Sequence, residues 1–312
     1  MGMMIDGQWE ADDGVWASKQ DGKFHRAESQ FRCAIGDDCH PAERDRYHLY
    51  VSLACPWAHR TLIMRKLKGL ETIIPVTIVQ PHMLDAGWQF AEPEPLYGFT
   101  HTYQLYARGD AHYTGRVSVP ILWDRQAETI VCNESAEIIR MFNSAFNALT
   151  GNRDDYYPEA LQSDIDDINA FVYANINNGV YRCGFATTQA AYEEAYDQLF
   201  DALDRVEERL AGQRYLVGDR LTEADIRLFT TLIRFDAVYH GHFKCNRNRI
   251  SDMPNLWGYL RDLYQQPGFG DTVDFEHIKQ HYYYSHESIN PTRIVPKGPY
   301  LDLSRPHGRD QA

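Results

Sequence analysis

Cys55 carries the clearest chemical signal in the chain. It stands in Tyr47-His48-Leu49-Tyr50-Val51-Ser52-Leu53-Ala54-Cys55-Pro56-Trp57-Ala58-His59-Arg60, where an alternating strand pattern runs into a helical one. That junction places the thiol at the first turn of a helix, where unpaired N–H groups and the positive end of the dipole favour the thiolate. Pro56 suits the first helical position, because its missing N–H is not needed there. A redox-active C-x-x-C motif requires a second cysteine, but Ala58 occupies that place. A mixed disulfide formed on Cys55 therefore has no resolving thiol within its own motif. A thiol from outside must complete the exchange.

Two further signals follow downstream. Val119-Pro120 lies just ahead of a short strand, and a proline there leaves the preceding residue's backbone groups free to pair with a peptide laid alongside. In Asn133-Glu134-Ser135, Ser135 opens a helix and can donate its hydroxyl and N–H to a carboxylate, while Glu134 offers charge to an ammonium group. Together they suit the two charged ends of a γ-glutamyl group. Taken alone, the pair also reads as an ordinary capped helix with an acidic first turn. His48 and His59 flank the thiol, but no oxyanion or third-member pattern accompanies them, which argues against a Cys–His hydrolase. Cys33, Cys39 and His40 lack metal-ligand spacing, so no metal is expected.

The elements that must position these groups can be read from periodicity. Residues 1–46 are polar, mixed in charge and rich in Asp and Gly, and are expected to form an irregular extension. A strand (47–53), a helix (58–68) and a strand (72–80) make a βαβ unit with parallel strands. Residues 81–112 break the rhythm with Pro81, Pro93, Pro95 and many aromatics, and read as a long functional loop. Short strands at 121–124 and 129–133 and a helix from Glu134 to about Phe146 complete the order βαβ–ββα. This is an α/β thioredoxin-like domain over 47–149. The turn-rich stretch Thr150–Pro158 reads as a linker. An all-α domain is expected over 158–286, with one long amphipathic helix marked by Tyr192, Ala195, Tyr196, Leu199, Leu203, Val206 and Leu210. Thr222-Glu223-Ala224-Asp225 is a variant capping box that serves folding. The tail, 287–312, carries four prolines that exclude a long helix.

Composition narrows the function classes. A chain of 312 residues supports about two domains. A formal charge of −13 argues against nucleic acid and against anionic membrane surfaces. No run is long and apolar enough to span a membrane, and Met1–Asp6 lacks the apolar core of a signal peptide. A cytoplasmic location is therefore expected. Six cysteines in such a chain read as reduced thiols rather than a disulfide framework. Cys132, in the apolar run Thr129-Ile130-Val131-Cys132, reads as a small buried hydrophobe.

With these residues in view, the chain resembles the glutathione transferase superfamily and, more closely, its Xi class, the glutathionyl-hydroquinone reductases. Four stretches carry the resemblance: Cys55–Arg60, Asn178–Ala186, Tyr239–Asn246 and His281–Thr292. The likeness runs from about residue 5 to Asp310, and the Tyr-rich stretches of the second domain separate it from the omega class. The resemblance implies a glutathione transferase fold and glutathione as co-substrate. It implies that Cys55 attacks the sulfur of a glutathionyl-hydroquinone and that a second glutathione then releases oxidised glutathione. It casts Tyr181 as the proton donor to the ring carbon, and Tyr239 and Tyr282 as hydrogen-bond donors that favour the Cys55 thiolate. Trp88, Arg116, Val117, Ser118, Val119, Glu134 and Ser135 match the glutathione site, and a homodimer is expected. The rival readings are an omega-like thioltransferase or dehydroascorbate reductase, and a non-catalytic binding module of the same fold. Core packing is the competing role for any of the 20 tyrosines.

Overall fold

The structure, a computed structural model, describes residues 2–11 and 21–310. The chain divides into two units. The first takes in Arg26–Asp154, the N-terminal strands and Glu276–His281. The second takes in Asp155–Phe275, residues 21–25 and the chain from Tyr282 onward.

The first unit opens with a hairpin of β1 (Met3–Ile5) and β2 (Gln8–Glu10), paired antiparallel around Asp6-Gly7. Both turn residues have positive φ, 47° and 76°, which Asp and Gly tolerate. The extension thus holds regular structure that its polar composition did not announce. Strand β3 (Tyr47–Val51) is buried at every position. It leads into α1 (Pro56–Leu67), then β4 (Val76–Leu84), β5 (Gly87–Phe90), α2 (Thr102–Gly109), β6 (Ile121–Asp124), β7 (Thr129–Cys132), α3 (Ser135–Ser144) and the short α4 (Asn147–Thr150). The sheet order is β5-β4-β3-β6-β7, with β3 and β4 parallel and the other pairs antiparallel. This is the expected thioredoxin-like α/β architecture with one more edge strand.

Two expectations change here. The strand read at 72–80 begins only at Val76, because Leu70, Ile73 and Ile74 are buried in a turn closed by backbone bonds from 73 and 74 to Leu70 O. The Arg65 guanidinium donates to Ile74 O (2.7 Å) and Glu71 O (3.0 Å), which holds that turn. An apolar turn and an apolar strand look alike in sequence. The segment 81–112 is also not one loop. Strand β4 runs through Pro81 on a register shift between Val79 and Met83, the kind of irregularity that spares a ladder bond proline cannot make. Within the rest of the segment, His101 and Gln104 form a capping box that starts α2.

Residues 26–46 are tied to this sheet. Cys33 N donates to Val131 O at 2.9 Å. The Arg46 guanidinium donates twice to Asp124 Oδ2, at 2.7 and 2.9 Å, and His40 Nδ1 lies 2.9 Å from the same oxygen. The Asp124 side chain is fully buried, and against the upward push of that burial the hydrogen bonds from Arg46 and His40 hold its carboxyl below the usual range.

The second unit is helical: α5 (Gln162–Val172), α6 (Gly179–Gly184), α7 (Gln189–Ala211), α8 (Glu223–Arg234), α9 (Pro254–Gln265) and α10 (Phe275–Ser285). Residues 276–281 of α10 belong to the first unit. Helix α7 starts at Thr188, whose side chain accepts from Ala191 N. Helix α8 is buried along its whole length, as befits the core of a bundle. Its Thr222/Asp225 capping box forms, and the buried Asp225 also accepts from Leu216 N and Tyr259 Oη, so that motif is structural as expected. Single π-turns follow α5 and α8, at Tyr173–Asn177 and Phe235–Tyr239. After Ser285 the described chain holds no further helix. Among the described residues no helix is long and apolar enough to cross a membrane.

Candidate functional site

Cys55 is the N-cap of α1, with Pro56 at the first helical position. Its backbone N donates to Ser52 O at 3.2 Å, and Ser52 Oγ accepts from Ala54 N, so the strand-to-helix turn is held by its own polar groups. The thiol is half-buried, and it donates to Val119 O at 3.4 Å. The Val119-Pro120 bond is cis. Thus the two strongest sequence signals of the first unit, 64 residues apart, meet in one contact. The Arg26 and Arg60 guanidinia both lie over the Trp57 ring, 4.7 and 4.5 Å from its centroid. Positive charge therefore collects beside the thiol's helix in a chain that is acidic as a whole.

Glu134 turns out to be the N-cap of α3. Its Oε1 accepts from Ala136 N at 3.0 Å, and Ser29 Oγ lies 3.3 Å from its Oε2. The plain capping role is therefore real, and it leaves a carboxylate in a defined orientation at a helix start. Ser135 is buried, and its Oγ lies 3.5 Å from Arg60 Nη1. Arg116, Val117 and Ser118 form the part-exposed lead-in to Val119 and β6. Tyr113 Oη donates to Arg116 O at 2.8 Å, and Tyr106 Oη donates to Ser118 O at 2.9 Å. Trp88, on β5, is buried and stacked on His281 with ring centroids 4.7 Å apart. His281 Nδ1 lies 2.9 Å from Pro81 O, which sets the imidazole plane.

The second unit gathers the three chosen tyrosines around one hydroxyl. Tyr282 Oη lies 2.6 Å from Tyr181 Oη and 3.0 Å from Tyr239 Oη. Tyr181 comes from α6, Tyr239 from the π-turn after α8, and Tyr282 from α10. Phe185 and Phe243 pack on Tyr181, and Phe243 also stacks on Tyr239. Burial pushes the phenols of Tyr239 and Tyr282 well above their ordinary pKa, so both stay protonated donors at neutral pH. Tyr181 is the most exposed of the three, at 8% against 0% and 1%. The neighbouring tyrosines are elsewhere: Tyr283 Oη donates to Ala237 O, and the Arg293 guanidinium lies over the Tyr284 ring.

The remaining cysteines divide by exposure. Cys33 and Cys39 are exposed, whereas Cys132, Cys183 and Cys245 are buried, and none of the six cysteines is in a disulfide. Burial raises the Cys132 thiol far above its ordinary pKa, in keeping with a small buried hydrophobe. No group of three or more potential metal ligands occurs among the described residues.

Sequence reasoning gave no role to Arg60, Tyr106, Asn133 or His281, although Arg60 reaches Ser135, Tyr106 reaches Ser118 and Asn133, and His281 stacks on Trp88. Arg60 stood inside a quoted motif. Asn133 and His281 also stood inside stretches already singled out, whereas Tyr106 gave no local signal, since its partners lie 12 and 27 residues on.

Family models for the glutathione S-transferase N-terminal and C-terminal domains match residues 54–145 and 189–262. The chain is 56% identical to glutathionyl-hydroquinone reductase YqjG of Escherichia coli K12, an alignment covering 99% of each. It superposes on the glutathione-bound structure of YqjG with a TM-score of 0.91 at 53% identity, covering 99% of each chain. A Xi class transferase from Natrialba magadii superposes with a TM-score of 0.94 at 47% identity, over 100% of this chain and 98% of the other. The likeness spans the whole chain, which belongs to the glutathione transferase superfamily and, within it, to the Xi class with the glutathionyl-hydroquinone reductases.

Proposed function

We propose that this protein reduces glutathionyl-hydroquinones to hydroquinones at the expense of glutathione. The observation that carries the reading is Cys55: a half-buried monothiol at a helix N-cap, 3.4 Å from the Val119 carbonyl, with Ala58 where a resolving cysteine would stand. The relative at 56% identity bears the name of this activity, which supports the assignment.

In the first step the Cys55 thiolate attacks the glutathione sulfur of the conjugate. A Cys55–glutathione disulfide forms, the aryl carbon–sulfur bond breaks, and its electron pair stays on the ring carbon, which takes a proton. In the second step a glutathione thiolate attacks the mixed disulfide, releases Cys55 as thiolate and leaves as oxidised glutathione. One conjugate and one glutathione become one hydroquinone and one oxidised glutathione.

Tyr181 is the proposed proton donor. If Tyr239 donates to Tyr282 and Tyr282 to Tyr181, the Tyr181 proton is left for the substrate, and the phenolate formed accepts the 2.6 Å bond from Tyr282. The high pKa that burial imposes on Tyr239 and Tyr282 keeps both protonated, so that in this relay each gives its single proton to the next hydroxyl. Trp88, Arg116, Val117, Ser118, Val119, Glu134 and Ser135 make up the proposed glutathione site. The Val119 carbonyl would accept from the tripeptide backbone, the Glu134 carboxylate would take the ammonium and Ser135 the carboxylate of the γ-glutamyl group. A homodimer and a cytoplasmic location complete the reading.

The test is to incubate the protein with glutathionyl-menadiol and glutathione and to identify products by mass spectrometry. Menadiol and oxidised glutathione in equal amounts are expected. Recovery of intact conjugate, with turnover of a simple glutathione mixed disulfide instead, would reassign the protein as a general thioltransferase.

A further inference from the structure

We infer that Tyr106 is a positioning residue for the glutathione site, locking together the two chain segments from which that site is built. The inference rests on the reading of Ser118, Val119, Glu134 and Ser135 as glutathione contacts. Tyr106 lies on α2, inside the aromatic segment 81–112, and it is fully buried.

Its hydroxyl makes the bonds a phenol can make. It donates to Ser118 O at 2.9 Å, and it accepts from Ser118 N at 3.2 Å and from Asn133 Nδ2 at 3.0 Å. Ser118 immediately precedes Val119, whose carbonyl meets the Cys55 thiol. Asn133 immediately precedes Glu134, the N-cap of α3. One oxygen therefore sets the spacing between the backbone lead-in that would pair with the tripeptide and the helix start that would hold its γ-glutamyl end. The polarity of the arrangement is determined. Ser118 N can only donate and Ser118 O can only accept, so the phenol proton goes to Ser118, whose Oγ also lies 3.3 Å away, and Asn133 presents its amide N–H. Asn133 Oδ1 is buried with no hydrogen-bond partner among the described residues, so the link to Tyr106 is what orients this amide. Burial pushes the Tyr106 phenol upward, which keeps the proton in place at working pH.

The ring itself is held independently of the hydroxyl. Phe31 meets it edge-on at 5.7 Å and Tyr113 lies at 5.0 Å, while Asn133 N donates to Phe31 O at 3.1 Å. Tyr106→Phe should thus keep the packing and lose only the lock.

The experiment is steady-state kinetics on the full chain with glutathione varied. It is accompanied by the rate at which iodoacetamide, which needs only the thiol, alkylates Cys55. Tyr106→Phe is expected to raise KM for glutathione about tenfold, since small misplacements of a binding segment are costly. Both kcat and the alkylation rate should stay within about twofold of the parent. Asn133→Ala cuts the same link without touching the ring and should repeat the KM effect, which keeps the test open if the first variant folds poorly. Glu134→Gln is run beside them. A KM raised by Glu134→Gln but unmoved by both other variants overturns the role of Tyr106 alone. A parallel loss of kcat, affinity and alkylation, with lowered Tm, would show a packing residue and overturn it too. A KM unmoved by Glu134→Gln would remove the glutathione reading on which the inference stands.

Discussion

The Cys55 thiol donates its hydrogen bond to the Val119 carbonyl. That bond belongs to the neutral thiol. Ionisation removes the donor and leaves the carbonyl oxygen facing a like-signed sulfur, so the carbonyl is then best satisfied by an N–H from elsewhere. A tripeptide laid along Val119, as proposed, would supply one. Thiolate formation and binding of a peptide-like co-substrate should therefore support each other, with the dipole of α1 opposing the repulsion.

Cys55→Ser should lose reductase turnover by at least about 10³-fold, because a neutral hydroxyl replaces the nucleophile. Cys33→Ser and Cys39→Ser, at exposed positions, should retain the parent rate. On brief treatment with oxidised glutathione, intact-mass analysis should find one glutathione adduct, on Cys55 and reversible by reductant. Loss of two hydrogens without an adduct would expose a resolving cysteine and sink the monothiol mechanism.

Tyr181→Phe should depress reduction of glutathionyl-hydroquinones far more than reduction of a simple glutathione mixed disulfide. Only the first reaction needs carbon protonation, for which a positioned acid contributes roughly 10²–10⁴-fold. Tyr282→Phe removes the hydroxyl that joins Tyr181 to Tyr239 and leaves the fully buried Tyr239 Oη short of a partner. It should therefore shift the same rate ratio and also lower stability by about 1–3 kcal/mol. An unchanged ratio in both variants would take the tyrosine cluster out of the chemistry and leave it a packing device.

Mild acid should destabilise the folded chain. Burial lowers the pKa of His48 and of His242 from 6.5 to about 4, so both are neutral in the native state. Between those values the unfolded chain binds protons that the folded chain does not. Stability is fully present above pH 6.5, falls as pH drops through the window, and loses no more from these two groups below about 4. Each group accounts for up to about 3 kcal/mol across the window. Denaturant unfolding as a function of pH checks this: His48→Gln should remove about one proton from the slope, and an identical slope in parent and variant would refute it.

Much of the site was legible because its chemistry is local. A thiol, a proline and a strand-to-helix change within a few residues place Cys55 at a helix start, whatever the rest of the chain does. Glu134 is legible as a cap for the same reason, and the Tyr-rich stretches mark the family by themselves. Where local pattern was ambiguous, reading failed. Ile73 and Ile74 have the composition of a strand but lie in a turn, and Pro81 looked like the end of a strand that in fact continues past it.

The monothiol, its helix, the βαβ start of the first domain and the family follow from local pattern in the chain. Tertiary packing alone decided which of three consecutive tyrosines joins the hydroxyl cluster. Successive residues on a helix point about 100° apart, so the surroundings of α10 send Tyr282 to Tyr181 and Tyr239 and Tyr283 to a carbonyl. Packing alone also decided that Tyr106 bonds Ser118, 12 residues on, and Asn133, 27 residues on. A buried hydroxyl must find partners where the fold brings polar groups together, and nothing in its own neighbourhood of the chain says where that will be.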